Sequence, residues 1–211
     1  MHVELLARSL AAIQPQTTLD RFQTLSGIAS RSVAIRVLDF LQSNGIGSIS
    51  KKEITFASTD RLRVAALALQ MGSDVEQISK YLSWKDFEKL ASQVLISLGY
   101  QSKTNLIFKK PRMEIDVIGV NSGFAIVVDC KHWRRSNLSS ISNYSYKQVA
   151  RTERLIEQDK RIVQAIPVIL TLHSESVRFV NAVPVVPIFQ FKAFVLDVKG
   201  FLSEICVIKP G

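Results

Sequence analysis

Asp129 and Lys131 stand at the end of an apolar run, "AIVVDCKHW", that begins at Ala125. A strand sends residues i and i+2 to one face, so this carboxylate and this ammonium point the same way, and Cys130 points to the other side, into packing. Asp116 lies in the preceding run, "MEIDVIGV", and Asn121-Ser122-Gly123 supplies a tight turn between the two. Pairing Val120 with Phe124 across that turn brings Asp116 close to Val128 and Asp129. Two carboxylates at about 4–6 Å repel unless a cation lies between them. A hard divalent cation takes oxygen ligands, and Mg²⁺ combines one or two carboxylates with waters and phosphate oxygens. A neighbouring ammonium stabilises an anionic transition state, or orients and deprotonates a water. Those are the requirements for metal-assisted hydrolysis of a phosphodiester. Glu88, one residue after Phe87 beside an apolar helix stripe, adds a third acid.

The competing interpretation is two strand ends emerging into water. The DxK letters alone carry little weight. "VLDVKG" repeats them at Asp197 and Lys199 with no Asp about 13 residues upstream on a hairpin partner, and reads as a solvated chain end.

The elements that must position these residues follow from periodicity. "SWKDFEKLASQVLISLGY" has Phe87, Leu90, Ala91, Val94, Leu95 and Leu98 at helical spacing, and Gly99 stops it. Strand signals follow at Ser102 to Phe108, "MEIDVIGV" and "FAIVVDCKHW". A helix from about Asn143 to Gln158, a strand at "IPVILTL", a helix near residues 175–181, a strand at "VPVVPIF" and a helix from Phe191 complete the order. Strands alternating with helices predict an α/β fold, a mixed or parallel sheet with helices on its faces.

Together, Glu88 in a helix ending "LGY", Asp116 in "EIDVIGV" and Asp129-Cys130-Lys131 resemble the PD-(D/E)xK nuclease superfamily. The likeness is to its Mrr-like restriction endonucleases and archaeal Holliday-junction resolvases, over roughly residues 83–189. It implies a restriction-endonuclease-like core, Mg²⁺ (with Mn²⁺ as a substitute) and cleavage of DNA phosphodiesters, in restriction or repair. By this resemblance Asp116 and Asp129 are metal ligands and Lys131 is the catalytic lysine. Glu88 matches the helix acid, which contacts the metal or its water. Gln148 in "YKQVARTERL" matches the polar residue of the following helix, with Lys147 as its competitor. Two departures are present: Ile115 rather than proline precedes Asp116, and the central acid is Asp rather than Glu.

Residues 1–82 read differently. Ser30 stands as N-cap of a helix in which Val33, Val37, Phe40 and Leu41 share a face, and Gly45 ends it. "GSISKKEITF" then alternates, with Lys51 and Lys52 at the tip of a hairpin. Helix, turn, helix and basic hairpin is the order of a winged helix. In that fold Arg31, Ser32 and Arg36 face base edges, and Lys51 and Lys52 reach phosphates from the wing. Protein interaction and dimerisation are the other uses of such a module. A further helix, capped by Ser58 or Thr59 and closed by Gly72, leads to Ser73 and Glu76 at capping-box spacing. The expected division is therefore a winged-helix-like domain over 1–82 and a nuclease domain over 83–211.

The chain carries 27 Lys and Arg against 18 Asp and Glu, a net charge of +9 in 211 residues. The part beyond residue 82 holds 18 basic and 11 acidic residues, so +7 of that excess lies with the candidate site. A basic excess of this kind suggests a polyanionic partner, nucleic acid first and an acidic membrane second. Arg134 and Arg135, just past the site, suit phosphates. His132 reads as a surface residue, Trp133 as packing at the sheet end, and His173 as structural. Two cysteines without a CxxC pattern point to a reducing, intracellular, cytoplasmic or nucleoid-associated setting. The N-terminal stretch reads as an amphipathic helix rather than a signal peptide, and no uncharged apolar run is long enough to span a membrane. The leading expectation is a Mg²⁺-dependent DNA endonuclease, a homodimer where both strands are cut symmetrically. The alternatives are a non-catalytic DNA-binding or regulatory protein that keeps the fold, and an RNA-processing nuclease.

Overall fold

Helical periodicity gives way to apolar strand runs beyond residue 100, and the backbone follows. The structure, a computed structural model, describes residues 1–50, 53–74, 77–78, 80–131, 138–171 and 178–211. It is a mixed β-sheet flanked by helices, preceded by a mostly helical N-terminal region. The chain divides into two compact units, Met1–Asp86 and Phe87–Gly211. No helix among the described residues is long and apolar enough to cross a membrane.

The first unit contains α1 (Val3–Ser9), α2 (Leu19–Ser26), α3 (Arg31–Ser43) and α4 (Asp60–Gln70). Three short strands, β1 (Gln16–Thr17), β2 (Ser48–Ile49) and β3 (Ile54–Thr55), pair antiparallel in the order β1-β3-β2. The buried Asp60 ties the hairpin to α4, accepting the N–H groups of Gly47 at 3.0 Å and Ala57 at 2.8 Å. The α3 face differs from the sequence expectation. It buries Ala34, Val37, Leu38 and Leu41, while Val33 and Phe40 are half-buried. The small Ala34 lets the helix settle one position round. Ser30 occupies the N-cap, but its hydroxyl meets the Ser32 hydroxyl at 3.0 Å and makes no capping bond. Lys51, Lys52 and Glu76 lie outside the described residues.

The division between the units falls within α5 (Trp84–Ser97), whose start is fixed by a capping box. The Ser83 N–H donates to Asp86 Oδ2 at 2.9 Å, and the Asp86 N–H returns to Ser83 Oγ at 3.3 Å. The sheet comprises β4 (Gln101–Lys109), β5 (Arg112–Asn121), β6 (Phe124–Lys131), β7 (Gln164–Thr171), β8 (Arg178–Val180) and β9 (Val183–Pro187). Their order is β4-β5-β6-β7-β9-β8. The first three strands are antiparallel, while β6, β7 and β9 run parallel. The long helix α6 (Leu138–Gln158) joins β6 to β7, and α7 (Phe191–Asp197) follows β9.

Two further sequence expectations are corrected. The β5–β6 turn pairs Val120 with Ala125 and Asn121 with Phe124, one residue away from the Val120–Phe124 pairing. Ser122 and Gly123 both take positive φ, 49° and 81°, the two-residue loop whose twist matches its flanking strands. The shift carries Asp116 from opposite Val128 to opposite Asp129. The helix expected near residues 175–181 is also not formed over its described part. Residues 178–180 are β8, which pairs with β9 around Asn181 and Ala182, again both at positive φ. Residues 172–177 lie outside the described residues.

Helices cover both sheet faces. Ile118, Ala125 and Val127 pack with Leu155 and Ile156 of α6. On the other face α5 lies against β5 so closely that a Cβ added at Gly119 would sit 2.9 Å from Leu95 Cδ1 and 3.2 Å from its Cβ. Leu95 is fully buried. Gly119→Val should therefore lower stability by about 1–3 kcal/mol, the usual cost of overpacking, read as a lower urea midpoint at unchanged slope.

Candidate active site

The ladder between β5 and β6 runs from Asn121↔Phe124 to Val117↔Val128 and stops. On the other edge of β5, the pairing with β4 passes from Thr104↔Val117 to Leu106↔Ile115 and leaves out Asn105, which has a φ of 54°. Asp116 thus sits where both neighbours have let go. Its side chain closes the gap: Oδ2 accepts the Cys130 N–H at 2.7 Å. The strands fork here, and the next residue of each arm is an aspartate.

Asp129 is 1% exposed. A buried carboxylate needs cationic partners, and it has two. Lys131, two residues on and on the same face, brings Nζ to 2.9 Å from Oδ1 and 2.8 Å from Oδ2. Arg151 of α6 brings Nη1 to 2.7 Å from Oδ1. The Lys131 approach to Oδ2 is ionic and off the hydrogen-bonding direction, so Oδ2 is a buried oxygen that accepts no hydrogen bond among the described residues. Lys131 Nζ also stands 4.9 Å above the Tyr144 ring, a cation–π contact that fixes its stem.

Gln148 holds α6 in place for this. It is fully buried, and its Nε2 donates to the Val127 carbonyl at 2.8 Å, two residues before Asp129. Its Oε1 takes Arg151 Nη1 at 3.3 Å, and its own carbonyl accepts the Thr152 hydroxyl at 2.8 Å. Glu88, 4% exposed, accepts from Asn105 Nδ2 at 3.2 Å.

The electrostatics follow from this crowding. The Asp116 carboxyl is pushed from its ordinary 3.8 up to about 6, first by burial and then by the Asp129 charge. The Cys130 N–H and Lys131 pull it back, and Glu88 adds to the rise. Burial, followed by the Asp116 and Asp129 charges, holds the Cys130 thiol well above its usual range, as suits a packing residue.

Glu88, Asp116, Asp129, Lys131 and Gln148 are thus gathered in one unit. Arg151, Asn105 and Tyr144 are additions that sequence reasoning missed. The available signal was helical: Tyr144, Gln148 and Arg151 stand at i, i+4 and i+7, one stripe of α6. In the first unit, Arg31 is engaged by Asp20 at 2.7 Å, and Arg36 and Ser32 are exposed. Arg31 lines a groove of about 430 Å³ together with Asp20, Asp39 and Glu53. Lys51, Lys52, His132, Trp133, Arg134, Arg135 and His173 lie outside the described residues.

The donor set matches a divalent cation in part. Two carboxylates stand at the fork within electrostatic reach of each other, one with an oxygen that accepts no hydrogen bond among the described residues, and hard cations take such oxygens. Glu88 does not complete a set of three, since the described residues contain no group of three or more His, Cys, Asp or Glu able to hold an ion.

Residues 79–174 match the family model Mrr_cat, described as restriction endonuclease. The match covers just under half of the chain, from the end of the first unit through β7. An uncharacterized protein of Archaeoglobus fulgidus is 26% identical over 127 residues, 58% of this chain and 97% of that protein. Solved structures resemble the chain more distantly. A protein of unknown function, AF1548, is 21% identical over 40% of this chain and 46% of its own, with a TM-score of 0.31. Protein VC1899 from Vibrio cholerae is 13% identical over 96% and 51%, with a TM-score of 0.35. Can2 from Sulfobacillus thermosulfidooxidans, in complex with cyclic tetra-adenylate, is 13% identical over 80% and 41%, with a TM-score of 0.27. The chain spans about half the length of these structures. The second unit therefore bears a restriction-endonuclease-like match over the stretch that contains Asp116 and Asp129.

Because the folded carboxyl of Asp116 binds its proton more tightly than the unfolded one, the folded state holds more protons between 3.8 and about 6. Its contribution falls as pH rises through that window and is level above it. In EDTA, Asp116→Asn should remove a loss of up to about 3 kcal/mol between about pH 3 and pH 7, measured by urea unfolding of both proteins at each end. An unchanged difference would remove Asp116 as the source.

Proposed function

We propose that the second unit is a metal-dependent DNA endonuclease that hydrolyses phosphodiester bonds. The observation that carries this is the fork, where Asp116 and Asp129 are the first residues beyond the last paired rung and Lys131 lies within 2.9 Å of Asp129. The restriction-endonuclease match over the same residues supports it. Asp116 and Asp129 would hold Mg²⁺ or Mn²⁺, which when bound supplies Lewis-acid polarisation of the phosphate and activation of a water. Lys131 presents its ammonium to the anionic oxygens of the transition state. In the overall reaction water adds to phosphorus, and one ester oxygen departs and takes a proton. Glu88 acts through Asn105 and through its field on Asp116. Gln148 is a positioning residue, holding α6 against β6. The first unit, read as a winged helix with Arg31, Ser32, Arg36, Lys51 and Lys52 on its DNA side, would orient the duplex.

One observation favours a second interpretation. Lys131 and Arg151 already answer the Asp129 charge, as suits a DNA-binding protein that keeps the fold without cutting. The two are separated by incubating the protein with plasmid, branched DNA and matched RNA in Mg²⁺ or Mn²⁺. Asp129→Ala and Lys131→Ala should each slow DNA cutting by about a hundredfold or more. Cutting that survives both substitutions sinks the site assignment. Salt-dependent binding with no cutting in either metal favours the binding protein.

A further inference from the structure

Arg151 belongs to two places at once. Its Nη1 holds Asp129 Oδ1 at 2.7 Å, and its side chain also lines an open cleft of about 380 Å³ with Arg112, Glu114 and Lys147. Three cations and one carboxylate surround that cleft, and Arg112, Glu114 and Lys147 are exposed. The cleft and the Asp129 site share a wall. Lys147 Nζ lies 6.0 Å from the centre of the same Tyr144 ring that carries Lys131. Arg151 makes its protein hydrogen bonds through Nη1 alone among the described residues, so the rest of its guanidinium fork is available to an anion.

We propose that this cleft binds a backbone phosphate of the nucleic acid, and that Arg151 is a counter-ion that Asp129 surrenders to that phosphate. The proposal rests on Asp116 and Asp129 being cation ligands. A guanidinium pairs with carboxylate and phosphate through the same planar fork, so one residue serves either anion. Asp129 keeps Lys131 when Arg151 leaves, and is never a buried charge without a partner. With Arg151 on Asp129, a divalent cation approaching that carboxylate meets two positive charges. With Arg151 on the phosphate, it meets one. Occupation of the cleft thus readies the carboxylate, and linkage requires that a bound cation favour phosphate binding in return. Arg151 is a positioning residue in this scheme, and Gln148, 3.3 Å from it, holds its resting orientation.

The test is Mn²⁺ binding followed by electron paramagnetic resonance on the full chain without DNA, beside duplex binding in EDTA. Arg151→Met should bind Mn²⁺ about tenfold more tightly than the wild type, within the usual range of coupling between sites. Arg151→Lys, which keeps the charge, and the double variant Arg112→Met with Lys147→Met should bind it as the wild type does. In EDTA, both Arg151→Met and the double variant should bind a short duplex more weakly and with a shallower salt dependence. Arg151→Met binding Mn²⁺ no more tightly, while Asp129→Asn abolishes binding, overturns the counter-ion and leaves the metal site standing. Unchanged duplex affinity in Arg151→Met and the double variant overturns the cleft. If neither wild type nor Arg151→Met binds Mn²⁺, this proposal and the metal-dependent function fall together.

Discussion

A carboxylate withdrawn from water must be answered by charge, and the burial of Asp129 makes that demand on everything around it. Desolvating one ion costs several kcal/mol even after relaxation, which a single distant cation does not offset. One answer is local, since the strand period brings Lys131 to the same face. The other, Arg151, comes from 22 residues away, and it arrives only if α6 lies against β6 in one rotational phase. The Gln148 bond to the Val127 carbonyl sets that phase. The docking of the longest helix and the charge balance of the site are therefore one arrangement.

Asp116 imposes the complementary constraint on the sheet. A regular ladder through this point would spend the Cys130 N–H on a backbone carbonyl. Here the carboxylate receives it, and β5 and β6 part. The interruption at Asn105 on the far side leaves room for a side-chain route to Glu88. The fork thus joins acids from a helix and two strands within electrostatic reach, although each is anchored by different partners. The Asp116 carboxyl is raised first by its own burial and then by the nearby Asp129 charge, with Glu88 adding a smaller push.

Much of this was legible in the sequence where the signal is local. The period of two gave the shared face of Asp129 and Lys131 and sent Cys130 into the core. The stripe of Phe87, Ala91 and Leu95 gave α5, and all three are buried. What escaped depends on geometry beyond the local period. Loop length alone does not distinguish a two-residue loop from a three-residue one, and the β5–β6 register depends on the backbone sign at Ser122 and Gly123. The three residues of β8 carry too little periodicity to separate strand from helix, and their pairing across Asn181-Ala182 decides the outcome. Arg151 carries no such local signal, because an arginine on an amphipathic helix reads as solvated surface until the partner strand is known.

The second DxK, at Asp197 and Lys199, isolates what the letters require. Asp197 ends α7 and Lys199 falls in the short 3₁₀ turn that follows. On a helix, neighbours two apart diverge by roughly 200°, so the pair does not share a face. Both residues are exposed, and water answers each charge separately. At Asp129 the same spacing lies on a buried strand. There water is excluded, the charges must answer each other, and the opposing strand contributes a second acid. Burial, rather than spacing alone, is what turns these three letters into a candidate site.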